Sequence, residues 1–237
     1  MGNGRNMLKG EADLKIVALN IGKITSMDCN GKAESTAIFK MPVKEKVWLT
    51  KTGFVGDEQA DLKHHGGEDK AVCVYSYEHY AYWETVFGAP LPNAAFGENL
   101  TVQGMLESEL HIGDIFQIGE ALVQITQPRQ PCYKLIARYG IKEFPIHMQD
   151  KGYTGFYLRV LKEGYIDGNS NITRVTLDEN QISIDFANQM MHHDQQNFSE
   201  IKKILTVDAL SANWRKTFMK RLEGENTDTS ERLQGKS

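Results

Sequence analysis

The hydrophobic period of this chain changes once, near Val175, and no other feature constrains its fold as much. Upstream, apolar residues come in short runs bounded by turn residues. Leu14 to Ile21, Lys46 to Thr50, Ala71 to Tyr75, Asn99 to Val102, Ile115 to Ile118, Ala121 to Thr126 and Gly155 to Val160 read as strands. Asn30-Gly31, Ile112-Gly113-Asp114 and Gly119-Glu120 supply turn signals between them. Two helices interrupt the series. Tyr80, Trp83, Glu84 and Phe87 recur at helical spacing before Gly88-Ala89-Pro90, and a second helix starts near Tyr133, after Pro128 and Pro131. Downstream of Val175 the strand signals cease. Glu179 to Met191, Ser199 to Leu205 and Val207 to Leu222 read as helices, with Ser199 and Asp208 as N-caps. The pattern predicts a mainly β chain with helices: a closed or nearly closed β-barrel over 10–174, then a small three-helix domain over 175–224. Residues 1–9 read as a disordered leader and 225–237 as a disordered tail.

With 237 residues and 41% hydrophobic content, the chain can bury a substantial core. Its formal net charge is −4 and it has no block of Lys and Arg, which excludes a general binder of nucleic-acid polymers. Anion binding is therefore expected to be local, in a pocket. No stretch is apolar for long enough to span a membrane, and Met1 to Lys9 lacks the apolar core of a signal peptide. Three widely spaced cysteines, Cys29, Cys73 and Cys132, argue against a disulfide framework and for a reducing, cytoplasmic setting.

Three stretches carry chemistry. Gly53 to Gly67 packs acids, Lys63, His64, His65 and four glycines into a segment without periodicity. Such glycines let backbone amides approach an anion, and Lys70 adds a donor nearby. The competing reading is a loop held by its own Asp57 and Asp61 hydrogen bonds. Phe96-Gly97-Glu98-Asn99-Leu100 reads as a turn entering a strand. In Gln127-Pro128-Arg129-Gln130-Pro131-Cys132-Tyr133-Lys134, Cys132 falls just before a helix start. Free amides there favour the thiolate, and Arg129 and Lys134 add to the effect. An inert buried thiol is the competing reading of Cys132 and the direct one of Cys73, which lies between Val72 and Val74. His192-His193 reads as a polar helix terminus. Nucleophile-elbow, phosphate-loop and dinucleotide signatures are absent from the sequence.

Taken in order, Gly56-Asp57 with Asp61, His65-Gly66-Gly67, Lys70-Ala71, Gly97-Glu98-Asn99-Leu100 and Arg129-Gln130-Pro131-Cys132 resemble the MOSC family, the domain at the C-terminus of molybdenum-cofactor sulfurases. Leu210-Ser211-Ala212-Asn213-Trp214, in a three-helix appendage, resembles the family's YiiM-like branch, as do His64-His65-Gly66-Gly67 and Thr36-Ala37-Ile38-Phe39-Lys40. The resemblance implies a MOSC-type β-barrel that binds molybdenum cofactor, a metal held by the dithiolene of a phosphate-bearing pterin. The role of thiolate ligand to molybdenum falls on Cys132. Lys40, Lys70 and Arg129 are expected as charge contacts, and Thr36, His65 and Asn99 as polar contacts. Gly66 and Gly67 are expected to allow close backbone approach.

For the YiiM-like branch the implied activity is reduction of N-hydroxylated nucleobases and related N-hydroxylated small molecules, a detoxification. The sequence carries no flavin, haem or iron–sulfur motif, so an external electron-donor reductase is expected as partner. The alternative is a non-catalytic cofactor carrier or sulfur-relay module using Cys132. A third reading makes the helical end a docking or dimerisation module, giving a homodimer.

Overall fold

The computed structural model describes residues 13–29, 31–61, 66–225 and 228–235. The first half contains β1 (Lys15–Ile21), β2 (Thr25–Cys29), β3 (Lys32–Thr36), β4 (Met41–Val43), β5 (Val47–Thr50), β6 (Gly53–Phe54), β7 (Val72–Ser76), α1 (Tyr80–Phe87) and β8 (Leu100–Gln103). Then come β9 (Ile115–Ile118), β10 (Ala121–Pro128), α2 (Lys134–Tyr139), α3 (Phe144–Lys151), β11 (Phe156–Lys162), β12 (Gly164–Ile166) and β13 (Ile172–Thr176). The chain closes with α4 (Ile184–His192), α5 (Phe198–Leu205), α6 (Ala212–Leu222) and α7 (Ser230–Gln234).

Eight strands form one sheet in the order β13-β9-β10-β11-β7-β8-β1-β4. Its outermost strands, β13 and β4, do not pair with each other, so among the described residues the hydrogen bonding does not close the barrel completely. A three-stranded sheet, β12-β5-β6, and the β2–β3 hairpin accompany it. The pairings of the large sheet are antiparallel except β7 with β8, whose parallel alignment needs a crossover; α1 provides it. Strand β7 has neighbours on both sides and is buried at every position from Val72 to Ser76, which explains its unbroken apolar run.

The helical end shares the sheet's core. One hydrophobic cluster runs from Ile16 and Leu49 through Phe116 and Phe156 to Ile184, Ile201, Trp214 and Phe218. Asn197 and Ser211, rather than Ser199 and Asp208, cap α5 and α6: their side chains accept from the Glu200 and Trp214 amides. Ser199 already lies inside α5, where its hydroxyl bonds the Asn197 side chain. The tail differs from expectation as well. Ser230–Gln234 is helical, the Tyr133 amide donates to the Arg232 carbonyl (2.9 Å), and Arg232 Nη1 donates to the Pro131 carbonyl (2.5 Å). Residues 1–9 lie outside the described residues.

One irregularity in β10 shapes the site. Ile125 pairs with Leu158 and Gln127 with Tyr157, so Thr126 is an extra residue opposite a single step of β11. Such a bulge resets the side-chain alternation. Ile125 and Leu158 face the core, while Gln127 joins Tyr157 on the other side. Thr126 Oγ1 bonds the Asp69 and Tyr157 carbonyls, and its own carbonyl accepts from the Ser211 amide (3.2 Å).

Candidate functional site

A cleft lies over this row. Gln127 sits opposite Tyr157, Tyr157 opposite Cys73, and Asn99 bonds Cys73 twice: its amide donates to the Cys73 carbonyl (2.8 Å) and its Oδ1 accepts from the Cys73 amide (3.1 Å). The cleft has an inner compartment walled by Lys40, Asp57, Cys73, Asn99 and Arg129. A wider outer compartment adjoins it, and Cys132 lines both.

Asp57 organises the inner compartment. Its Oδ1 accepts from the Gly22 amide (2.7 Å) and pairs with Lys40 Nζ, and its Oδ2 accepts from Asn99 Nδ2 (2.8 Å). The Lys40 and Asp57 side chains are both buried, at 7% and 4% exposed. Lys40 and Asn99 thus line the cavity already engaged, Lys40 neutralised by a carboxylate and Asn99 tied to the sheet. Thr36 also lines it, with Oγ1 accepting from the Ile38 amide (3.2 Å).

Arg129 is placed differently. It is 7% exposed, its Nη2 donates to the Phe96 carbonyl (2.6 Å), and Nη1 is buried with no partner among the described residues. Burial works to lower its pKa, but Cys73, Tyr157, Cys132 and Glu98 act the other way and hold it above its ordinary value. A desolvated cation with an unmade hydrogen bond favours an anion beside it. Lys70 also lines the cavity, with Nζ 5.9 Å from the Tyr157 ring centre, and burial pulls its pKa down.

Cys132 is a free thiol, 7% exposed. Helix α2 starts two residues later and is six residues long, so its amides are a smaller influence than the sequence suggests. Arg129 and Arg232 both lie within electrostatic reach of Cys132. Lys134 lines the cleft, but its Nζ donates to the Ser35 carbonyl (3.0 Å).

Gly66 and Gly67 lie outside the walls of both compartments. A Cβ on Gly67 would meet nothing within 4 Å among the described residues, and its φ of +93° is one that favours glycine. Gly97 lines the cavity, and a Cβ there would come within 2.8 Å of Ile38 Cγ1. His65 lies outside the described residues. Cys73, which reads in sequence as an inert strand cysteine, also faces the cavity; burial raises its pKa, with Arg129 opposing. Tyr157, Gln127 and Arg232 carry no sequence signal. Only the bulge and the folded tail bring them to the cleft.

A MOSC domain model matches residues 61–173 and a YiiM-like 3-alpha helix domain model matches 182–225. Protein YiiM of Escherichia coli K12 is 37% identical over 213 residues, covering 86% of this chain and 93% of that protein. The chain belongs to the MOSC family, in its YiiM-like branch. The uncharacterized protein YflK of Bacillus subtilis (strain 168) is 49% identical, covering 87% of this chain and 93% of its own length. The crystal structure of YiiM from Geobacillus stearothermophilus superposes with a TM-score of 0.76 at 38% identity, covering 88% of this chain and 99% of that one. A protein of Gibberella moniliformis named Reductase is 33% identical over 64% of this chain, which spans 27% of that protein. Among the described residues no helix is long and apolar enough to cross a membrane.

Proposed function

We propose that this MOSC protein is a cytoplasmic, molybdenum-cofactor-binding reductase of N-hydroxylated nucleobases and related N-hydroxylated compounds. The observation that carries the reading is Arg129: a buried guanidinium whose Nη1 has no partner among the described residues, lining one cavity with a free cysteine thiol. An anionic group with a soft metal matches that donor set, since guanidinium suits phosphate and thiolate suits molybdenum.

Cys132 would hold the metal, and Arg129 would take the phosphate or pterin charge, helped by Lys70. Lys40 and Asn99 would act mainly as positioning groups, because Asp57 already engages both. Thr36 would line the pterin side. When bound, the cofactor supplies two-electron chemistry: with two protons and electrons from an external donor, the N–O bond is cleaved to amine and water. The chain's own part is to exclude water from the buried floor and to orient the substrate across Cys132.

The test is pterin and molybdenum analysis with a reductase assay, Cys132→Ala beside wild type, made in a cofactor-competent host. The variant is expected to lose metal and turnover on the order of 100-fold; full activity would overturn the thiolate-ligand assignment. A sulfur-relay reading draws support from Cys73, a second free thiol on the same cavity. Persulfide on Cys132 without molybdenum, seen by mass spectrometry, would favour it.

A further inference from the structure

The two compartments bury opposite kinds of unsatisfied group. The inner wall holds Arg129 Nη1, a cationic donor. The outer wall holds Gln127, 1% exposed, whose Oε1 accepts no hydrogen bond among the described residues. The orientation of this amide is fixed: Nε2 donates to the Pro128 carbonyl (3.0 Å), and exchanging nitrogen and oxygen would set two oxygens against each other. A buried acceptor without a donor is destabilising, and a ligand N–H would relieve it.

The charges differ as well. Asp61, Lys70 and Lys134 line both compartments; Glu34, Asp228, Glu231 and Arg232 line the outer one alone, against Lys40, Asp57, Glu58 and Arg129 in the inner one alone. Two of the outer compartment's cations direct donors away, Lys134 to the Ser35 carbonyl and Arg232 to the Pro131 carbonyl. Tyr133 and Tyr157 contribute aromatic surface, which suits a flat molecule. Asp228, Glu231 and Arg232 lie beyond both matched domains, so this wall is an addition of the chain's last segment.

We infer that the outer compartment is the substrate subsite, that it takes a planar, uncharged or cationic molecule bearing N–H donors, and that Gln127 Oε1 accepts one of them. The inference rests on the reading above in leaving the inner compartment to an anionic cofactor. It adds a specificity-determining residue and a charge rule: anions are admitted inside and rejected outside.

The test is calorimetric titration of the full-length protein with benzamidine and with benzoate, an anion of the same shape. Benzamidine binds, and Gln127→Leu weakens it about tenfold. Benzoate does not compete with benzamidine, even where it occupies the inner guanidinium. In the wild-type protein the Gln127 side-chain amide resonance shifts on adding benzamidine, a readout that does not depend on the variant folding. No benzamidine binding, an unshifted Gln127 resonance, or full competition by benzoate overturns the inference. Its failure is distinguishable from failure of the cofactor reading. Pterin uptake without benzamidine binding removes this inference alone; Gln127-dependent benzamidine binding in a protein that takes up no pterin removes only the other.

Discussion

In the inner compartment the positions of Lys40, Asn99 and the end of β1 are set by one buried carboxylate, Asp57, whereas in the outer compartment the wall is held by carbonyl contacts from a short C-terminal helix. The inner residues come from segments far apart in sequence that meet over the sheet floor. The outer wall is a late addition resting on Pro131 and Tyr133. The difference teaches that the two halves of one cleft can change separately. Altering the tail leaves the floor row Gln127–Tyr157–Cys73 untouched, while altering Asp57 disturbs the fold itself.

The comparison is broken most severely at Asp57. Asp57→Asn leaves the Lys40 charge buried without its counter-ion, and a buried pair broken on one side costs about 3–5 kcal/mol, to be read from chemical denaturation. A loss as small as that of an exposed pair would mean that the inner compartment is no more rigid than the outer one. Next comes His192, on α4 near Arg232. Burial, then Arg232, His193 and Arg221, push its pKa down to about 3, and its Nε2 is buried without a partner among the described residues. An unfolded imidazole titrates near 6.5, so between about 6.5 and 3 the unfolded chain binds the extra proton. Stability therefore falls as pH drops through that window. His192→Gln is expected to flatten the dependence of melting temperature on pH between 7 and 5. The smallest effect is at Arg232. Arg232→Ala removes one hydrogen bond to Pro131 and is expected to cost about 1 kcal/mol. Amide exchange at Tyr133 should accelerate in that variant, while Cys73 and Asn99 amides keep their protection.

The strands were legible where alternation or unbroken apolar runs reported burial, as in β1, β7 and β9. Segment β2–β3 was not, because Thr25–Cys29 and Lys32–Thr36 are polar and mostly exposed, and only the turn between them carried a signal. Helix α3 carries little signal of its own, with Pro145 in its first turn, a place where proline is tolerated. The tail read as disordered because a five-residue helix has little propensity of its own; contacts with Pro131 and Tyr133 order it. In the site, Cys132, Arg129, Lys40, Thr36 and Asn99 come together as one cavity, but Asn99 and Lys40 turn out to be engaged by Asp57. Pairings of that kind join residues dozens of positions apart, and no local pattern announces them.

The extra residue at Thr126 makes the cleft floor a matter of parity. Downstream of it, every β10 side chain occupies the face that an odd count of residues assigns. Flattening the bulge while keeping Thr126 would restore simple alternation, turn Gln127 toward the face of Ile125 and Leu158, and bury an amide in the apolar core, whereas deleting Thr126 would leave Gln127 opposite Tyr157. Point substitutions along β10 leave that count alone. A relative that lacks Thr126 is therefore expected to keep this cleft floor, whereas one that keeps the residue and loses the bulge is expected to carry a different one.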